Sequence, residues 1–352
     1  SYDDPISQYV PELAAYPGVT VRHLLQHTGG LPDYYDLIDT SGDVPTNDDA
    51  LRLLGEMASP AFAPGERYEY SNPGYDMLGP IVEAAAGMPF VDFVRERIFK
   101  PLNMSNSLVH DHTFPDIPNR AIGYDPVADG FEPNDYDPLN GIVGSGGIYS
   151  NLEDMYRWDQ ALYGEQLVSQ ESLDAAFTAG LNNAGESIDY GFGWRIETTR
   201  GHKRVRHSGS WVGFRTHIAR IPDLRFSIVI LSNNSEFEPG EYIDPITDIY
   251  LGQAVASTAA PGPTATENEA STDVRVMSFN IEWGGENISF DNVVTAIRKS
   301  GANIVGIQEA EGNLQRLAGA LGWNYDMRNY VCLLYTSPSP RDNQPHLVCR
   351  LL

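Results

Sequence analysis

Lysine is nearly absent from this chain. Only Lys100, Lys203 and Lys299 occur in 352 residues, and 23 basic side chains face 48 acidic ones, a formal net charge of −25 at pH 7. A surface of that sign repels phosphate backbones and anionic headgroups, which argues against strong nucleic-acid binding. Cysteine is as scarce: Cys332 and Cys349 both lie in the last stretch of the chain. Residues 1–331 therefore offer no disulfide framework to report a compartment and no thiolate metal site. No apolar run is long enough to span a bilayer. A hydrophobic content of 41% is nevertheless ample for a globular core.

Patterning divides what remains. Residues 1–180 read as mainly helical with long loops. Thr46 or Asn47 can cap a helix carrying Leu51, Leu53, Leu54 and Met57, which Pro60 stops. A second helix runs from about Tyr75 to Ala86 and ends at Gly87, and a third covers Val91 to Phe99. Ser150 and Glu153 form a capping box ahead of a helix with Met155, Trp158 and Leu162. After Tyr190 the period shifts to strands at Phe192–Thr198, Val205–His207, Phe214–Ile221 and Phe226–Ser232, with turns at Gly213 and Pro222–Arg225. A helix from about Tyr242 to Val255 can pack on them. Helices first and a late antiparallel meander make an α+β domain over residues 1–256. Residues 257–272 have the small, polar, proline-bearing composition of a linker. A second, α/β pattern opens at 273: strands at Val274–Ile281 and Ile304–Ile307, helices at Phe290–Lys299 and Leu314–Leu321.

Three stretches carry the chemistry. Val21–Pro32 holds His23, His27, Thr28, Gly29 and Gly30. Phe62–Gly79 places Tyr70, Ser71 and Asn72 on a turn ahead of an apolar helix. Arg206–Phe214 contains His207, Ser208 and Gly209. Together and in this order they resemble the serine β-lactamase and penicillin-binding-protein superfamily, in its class C-like branch with D-alanyl-D-alanine peptidases and esterases. The resemblance covers roughly Tyr2 to Gln253. It implies an antiparallel sheet flanked by helices, a helical subdomain, and an active site between them. It also implies an acyl-enzyme formed by the serine of a Ser-x-x-Lys motif. None of the three lysines here has a serine three residues before it. The opening Tyr2–Pro5 looks like the family's segment shortly after the nucleophile helix, so the motif is expected on a piece preceding Ser1, and this chain is expected to be inactive.

By the same resemblance Tyr70 shuttles protons with that lysine, whose ammonium would lower a phenol that ordinarily titrates near 10. Asn72 would hold the acyl-side amide of the substrate. The Ser210 backbone N–H would be one oxyanion donor, and Gly209 would let substrate approach the strand edge. His207-Ser208-Gly209 stands where most relatives carry Lys-Thr-Gly. A histidine is mostly neutral at pH 7, so a substrate carboxylate is held less firmly and the balance moves from β-lactams toward esters or peptides. The expected partner is such a small ester, peptide or lactam, with no cofactor in this domain and a periplasmic or secreted setting.

Other candidates carry less. His23 and His27 have the i,i+4 spacing of two zinc ligands on a helix but no evident third. Ser71, Ser208 and Ser210 lack the glycine elbow of a nucleophilic serine. Gly144–Gly147 resembles a phosphate loop superficially, without the following lysine. Asp33, Tyr34, Tyr35 and Trp211 are candidates for the entrance of the site. Met277–Ile281 and Asn303–Glu309 look like the opening of the endonuclease/exonuclease/phosphatase superfamily, in which Asn280 and Glu309 would help hold Mg²⁺ at a phosphate ester; that domain would be truncated at 331. Cys332–Asp342 and Leu347–Leu352 resemble translated sequencing adapter and primer, so 332–352 is set aside. Two rival readings stand beside the hydrolase: a non-catalytic penicillin-binding-like module, and a metal-dependent phosphodiesterase or nuclease carried by the later domain.

Overall fold

The computed structural model describes residues 1–113, 116–128 and 130–251, with later strands at 276–280, 304–308, 324–328 and 331–335. The chain divides into two compact units, Ser1–Arg120 with Tyr136–Thr198, and Ala121–Asp135 with Thr199–Leu352. The helices are α1 (Val21–Leu25), α2 (Asn47–Met57), α3 (Asn72–Asp76), α4 (Leu78–Ala86), α5 (Phe90–Val94), α6 (Leu152–Ala161), α7 (Gln170–Ala176) and α8 (Gly240–Tyr250). The strands are β1 (Leu108–Val109), β2 (Tyr124–Val127), β3 (Gly130–Pro133), β4 (Ile148–Tyr149), β5 (Arg195–Thr199), β6 (His202–Trp211), β7 (Phe214–Ile221) and β8 (Phe226–Ser232), then β9 (Val276–Asn280), β10 (Ile304–Gln308), β11 (Asn324–Arg328) and β12 (Val331–Tyr335).

The first unit is built of short helices around a shared core. The Thr46 N–H at the start of α2 donates to Asp49 Oδ2 at 3.0 Å, and Asp48 and Asp49 place negative charge where unpaired N–H groups collect. The helix buries Ala50, Leu53 and Leu54, then ends as Ala58 turns left-handed ahead of Pro60. Leu54 joins Ile6, Leu13, Leu24, Met77 and Ile81 in the main core. A second cluster gathers Val94, Phe99, Leu102, Met104 and Val143. It includes a π-helical turn, Arg95–Phe99, that continues α5.

Two helix starts differ from expectation. The helix expected from Tyr75 begins at Asn72, because the Ser71 side chain accepts from the Gly74 N–H and Pro73 occupies a position where no N–H is needed. It is interrupted at Met77 and resumes as α4, ending at Gly87 with φ 67. For α6 the cap is Asn151, not Ser150: Asn151 Oδ1 accepts from the Asp154 N–H at 2.9 Å. The Ser150 hydroxyl lies 2.8 Å from that of Ser107 instead. The fully buried Asp154 accepts from the Asn106 N–H and the Ser107 hydroxyl.

In the second unit β6, β7 and β8 form the expected antiparallel meander. β7 and β8 have the predicted bounds, and β6 is longer at both ends than Val205–His207. Ser208, Gly209 and Ser210 have poor strand propensity, but each is paired across to β7, with His217, Thr216 and Arg215 respectively. The β6–β7 turn is the pair Val212-Gly213. A Cβ on Gly213 would stand 2.2 Å from the Tyr124 backbone nitrogen, since the β2–β3 hairpin packs against the turn and the Gly213 N–H donates to the Asn134 carbonyl. On the apolar face, Ala219, Ile228 and Ile230 meet Ile243 and Ile246 of α8. Each buried isoleucine there contributes roughly 2–3 kcal/mol. The helix starts two residues before Tyr242, and its expected course beyond 251 lies outside the described residues.

The later strands form their own sheet, in the order β11-β12-β10-β9, with β9 and β10 parallel and the others antiparallel. A parallel pair needs a crossover connection. The helix expected there, at 290–299, lies outside the described residues, as do the linker 257–272 and the helix at 314–321. β12 takes in Cys332–Tyr335, so the first residues of the segment set aside as adapter pair as a strand. The fold class is α+β, as the patterning predicted.

One side chain spans three segments of the first unit. The Asn47 carboxamide donates to the carbonyls of Asp76 (3.0 Å) and Val143 (2.8 Å) and accepts from the Val143 N–H at 3.0 Å. Asn47→Ala is expected to lower unfolding free energy by about 3 kcal/mol, three hydrogen bonds at about 1 kcal/mol each. Urea unfolding checks this through a lower midpoint at unchanged slope.

Candidate active site

In the first unit Tyr70, Ser71 and Asn72 are not on a free turn. Ser71 is the N-cap of α3 and Asn72 its first residue, so both backbones are set by the helix start. Tyr70, just before it, is 45% exposed. Its ring lies 4.2 Å from that of His27, centroid to centroid. Tyr75 stacks on the same imidazole at 4.7 Å, and Tyr190 meets it edge-on at 4.8 Å. Partial burial pushes the Tyr70 phenol above its ordinary value, with Arg195 pulling weakly the other way.

The reading of His23 and His27 as an i,i+4 pair is corrected. α1 ends at Leu25, and His27 has φ 55, in the left-handed region, so the two rings do not share a helix face. His23 Nδ1 accepts from the Thr20 N–H at 3.1 Å within a capping box. His27 is 2% exposed, its Nδ1 3.0 Å from the Ser71 nitrogen and its Nε2 3.1 Å from the Tyr190 hydroxyl. Among the described residues no group of three or more His, Cys, Asp or Glu is placed to hold a metal.

Nor does Tyr34 line an entrance. It is fully buried and donates to Asp76 Oδ2 at 2.6 Å, while Tyr35 donates to the same oxygen at 2.9 Å. Asp33 is exposed and accepts from the Tyr35 N–H. Asp76 was missed by sequence reasoning, as were Tyr75 and Tyr190. It is fully buried, and burial pushes its carboxyl above the usual range against the pull of its donors. The glycine run reaches it: the Ser145 N–H donates to Asp76 Oδ1 at 3.2 Å. A Cβ on Gly144 would lie 2.4 Å from the Tyr75 carbonyl, so only glycine lets that chain pass α3.

In the second unit the His207–Ser210 segment lies on β6 with Ser208, Gly209 and Ser210 exposed. The strand period puts His207 and Gly209 on one face and Ser208 and Ser210 on the other. The His207 Nδ1–H donates to the Ser208 carbonyl at 2.8 Å, which leaves Nε2 as the acceptor of the neutral ring. A Cβ at Gly209 would meet Thr216 Oγ1 at 2.4 Å. The glycine is thus also a requirement of the sheet, beyond any approach of substrate. Trp211, at the end of β6, is 39% exposed.

In the later sheet Asn280 ends β9 with Gln308 as its register partner at the same end of parallel β10. Glu309 lies outside the described residues. The pair expected to hold Mg²⁺ is not placed, and no chemistry is routed through it.

Comparison with known proteins bears on the first 250 residues. Residues 1–250 match the beta-lactamase family. Penicillin-binding protein 4* of Bacillus subtilis (strain 168) is 38% identical over 251 residues, covering 67% of this chain and 55% of its own length. A D-aminopeptidase of Cereibacter sphaeroides (strain ATCC 17029 / ATH 2.4.9) is 31% identical over 247 residues, covering 66% and 46%. The chain thus spans about half the length of these curated relatives. Among solved structures, the octameric penicillin-binding protein homologue from Pyrococcus abyssi aligns with a TM-score of 0.62 at 28% identity, over 72% of this chain and 60% of that one. The D-amino acid amidase from Ochrobactrum anthropi SV3, complexed with L-phenylalanine amide, aligns at 0.54 and 25% identity, over 63% and 66%. With its motifs in order and its family match spanning most of its length, the chain belongs to the beta-lactamase family.

Proposed function

We propose that this chain carries the proton-transfer and substrate-holding parts of a serine hydrolase that works through an acyl-enzyme, with peptides or amides of D-amino acids as its first substrate class. The observation that carries the reading is Tyr70: a half-exposed tyrosine one residue ahead of a helix cap, with Asn72 in the first turn. The D-aminopeptidase and D-amino acid amidase relatives support the substrate class; esters and β-lactams present the same acyl carbon and remain its alternatives.

In the reaction a serine Oγ bonds to the acyl carbon as its proton passes to the Tyr70 phenolate, which the ammonium of a Ser-x-x-Lys motif would hold ionised. Collapse breaks the C–N bond, and Tyr70 returns the proton to the departing amine. Water then repeats the sequence on the ester. Asn72 holds the acyl-side amide through both ends of its carboxamide, and the Ser210 N–H is one donor to the oxyanion. His207, whose Nδ1–H is taken by the Ser208 carbonyl, stands where the resemblance puts a lysine, and a histidine there is no permanent counter-charge for a carboxylate. An ammonium about 4 Å from a phenol contributes about 4 kcal/mol at an effective dielectric near 20. That is worth about three pKa units, enough to bring such a phenol to neutral pH. Nothing in this sequence supplies that ammonium, because Ser-x-x-Lys is absent. A binding role without turnover is the reading left if the motif is absent from the complete protein too.

Fluorescent penicillin is therefore expected to leave this chain unlabelled, and to label a longer form bearing Ser-x-x-Lys. Stoichiometric labelling of the chain itself would show a nucleophile elsewhere. By ¹³C NMR of ring-labelled tyrosine, assigned with Tyr70→Phe, the Tyr70 phenol is expected to stay neutral past pH 10, its ordinary value; a midpoint below that would show another cation at work. In the longer form, His207→Lys is expected to raise kcat/KM for carboxylate-bearing substrates over neutral esters by about fivefold or more, the worth of about 1 kcal/mol in a partly exposed ion pair. An unchanged ratio would remove His207 from substrate selection.

A further inference from the structure

His27 touches the backbone on both sides of Tyr70. Its carbonyl accepts from the Glu69 N–H at 2.9 Å, and its Nδ1 accepts from the Ser71 N–H at 3.0 Å. A peptide N–H can only donate, so Nδ1 carries the lone pair and the proton of the neutral ring sits on Nε2. The rest of the network agrees. Nε2–H faces the Tyr190 oxygen at 3.1 Å, and Tyr75, stacked on the same ring, donates to the Leu25 carbonyl at 2.8 Å. With the Ser71 amide donating to Nδ1 and the Tyr190 oxygen facing Nε2, one tautomer of His27 satisfies both contacts. The ring also forms the floor on which Tyr70 lies, between Tyr70 and Tyr75. To make both contacts with 69–71 the residue adopts φ 55, a conformation that costs a side-chain-bearing residue on the order of 1 kcal/mol or more. A histidine needed only as packing has no reason to carry that cost.

We infer that His27 is a positioning residue for Tyr70: its carbonyl and Nδ1 clamp the peptides flanking the tyrosine, and its ring, held in a single tautomer by Tyr190, sets the plane and partial desolvation of the phenol. The inference rests on Tyr70 as the proton shuttle, but its test does not require turnover. The clamp joins residues 44 positions apart, and the ring partner Tyr190 stands 163 positions from His27.

The experiment compares the full chain with His27→Leu, which keeps bulk and loses the acceptor, and His27→Asn, which tolerates a positive φ and offers Oδ1 where Nδ1 stood. Amide exchange at Ser71 and ring titration of ¹³C-labelled Tyr70 are read by NMR in each. In His27→Leu, Ser71 exchange is expected to quicken about fivefold, the protection an ordinary hydrogen bond provides. The Tyr70 midpoint is expected to fall toward that of free tyrosine as the ring gains solvent. His27→Asn is expected to restore the Ser71 protection. Unchanged exchange and an unchanged midpoint in a folded His27→Leu overturn the proposal. If that variant does not fold, Tyr190→Phe puts the same question. It removes the acceptor of Nε2–H, so ¹⁵N shifts of the imidazole are expected to show mixed tautomers and Ser71 to lose protection. A single unchanged tautomer with full protection overturns the proposal equally. Failure of the hydrolase reading has a different signature: no acylation of a Ser-x-x-Lys-bearing form whose Ser71 clamp is intact.

Discussion

A buried carboxylate at the end of a five-residue helix ties together the segments of the first unit that surround α3. Asp76 receives the hydroxyls of Tyr34 and Tyr35 and the amide of Ser145, and its own carbonyl is taken by Asn47. Desolvating a carboxylate is costly unless its lone pairs are used. Three donors from two distant segments use them, so removing any one exposes the cost of the rest. The segments at 34–35, 47, 76 and 143–145 meet at that residue.

A helix as short as α3 is not stable by itself, because nucleation alone outweighs what one turn returns. It exists because both ends are held. Asp76 anchors its last turn, while Ser71 caps its first and His27 grips the peptides just before it. Tyr70 stands where that grip meets solvent. Its ring leans on a buried imidazole while nearly half of the residue faces solvent.

The second unit depends on a different constraint, close backbone approach. Gly213 and Gly123 lie against each other and the Asn134 carbonyl, closer than any side chain permits. That contact fixes the β6–β7 turn and with it the exposed stretch His207 to Trp211. His207 takes its place in that strand through its register with Ile218.

Local signals were legible in the sequence and long-range hydrogen bonds were not. β7 and β8 follow residue for residue from alternation and their turns, α2 from its capping threonine and following proline, α4 from Gly87; the family motifs alone pointed to Tyr70, Asn72 and His207–Ser210. What tertiary structure decided is which polar groups meet. Ser150 looked like a cap until Ser107 occupied its hydroxyl and Asn151 took its place. Tyr34 looked like an entrance residue until Asp76, 42 positions away, accepted its hydroxyl inside the core. His23 and His27 looked like one helix face until the helix ended at Leu25 and His27 turned left-handed. Periodicity and turn chemistry are written within a few residues, whereas a buried donor finds its acceptor wherever the chain returns, and nothing in the spacing of Tyr190 foretells His27.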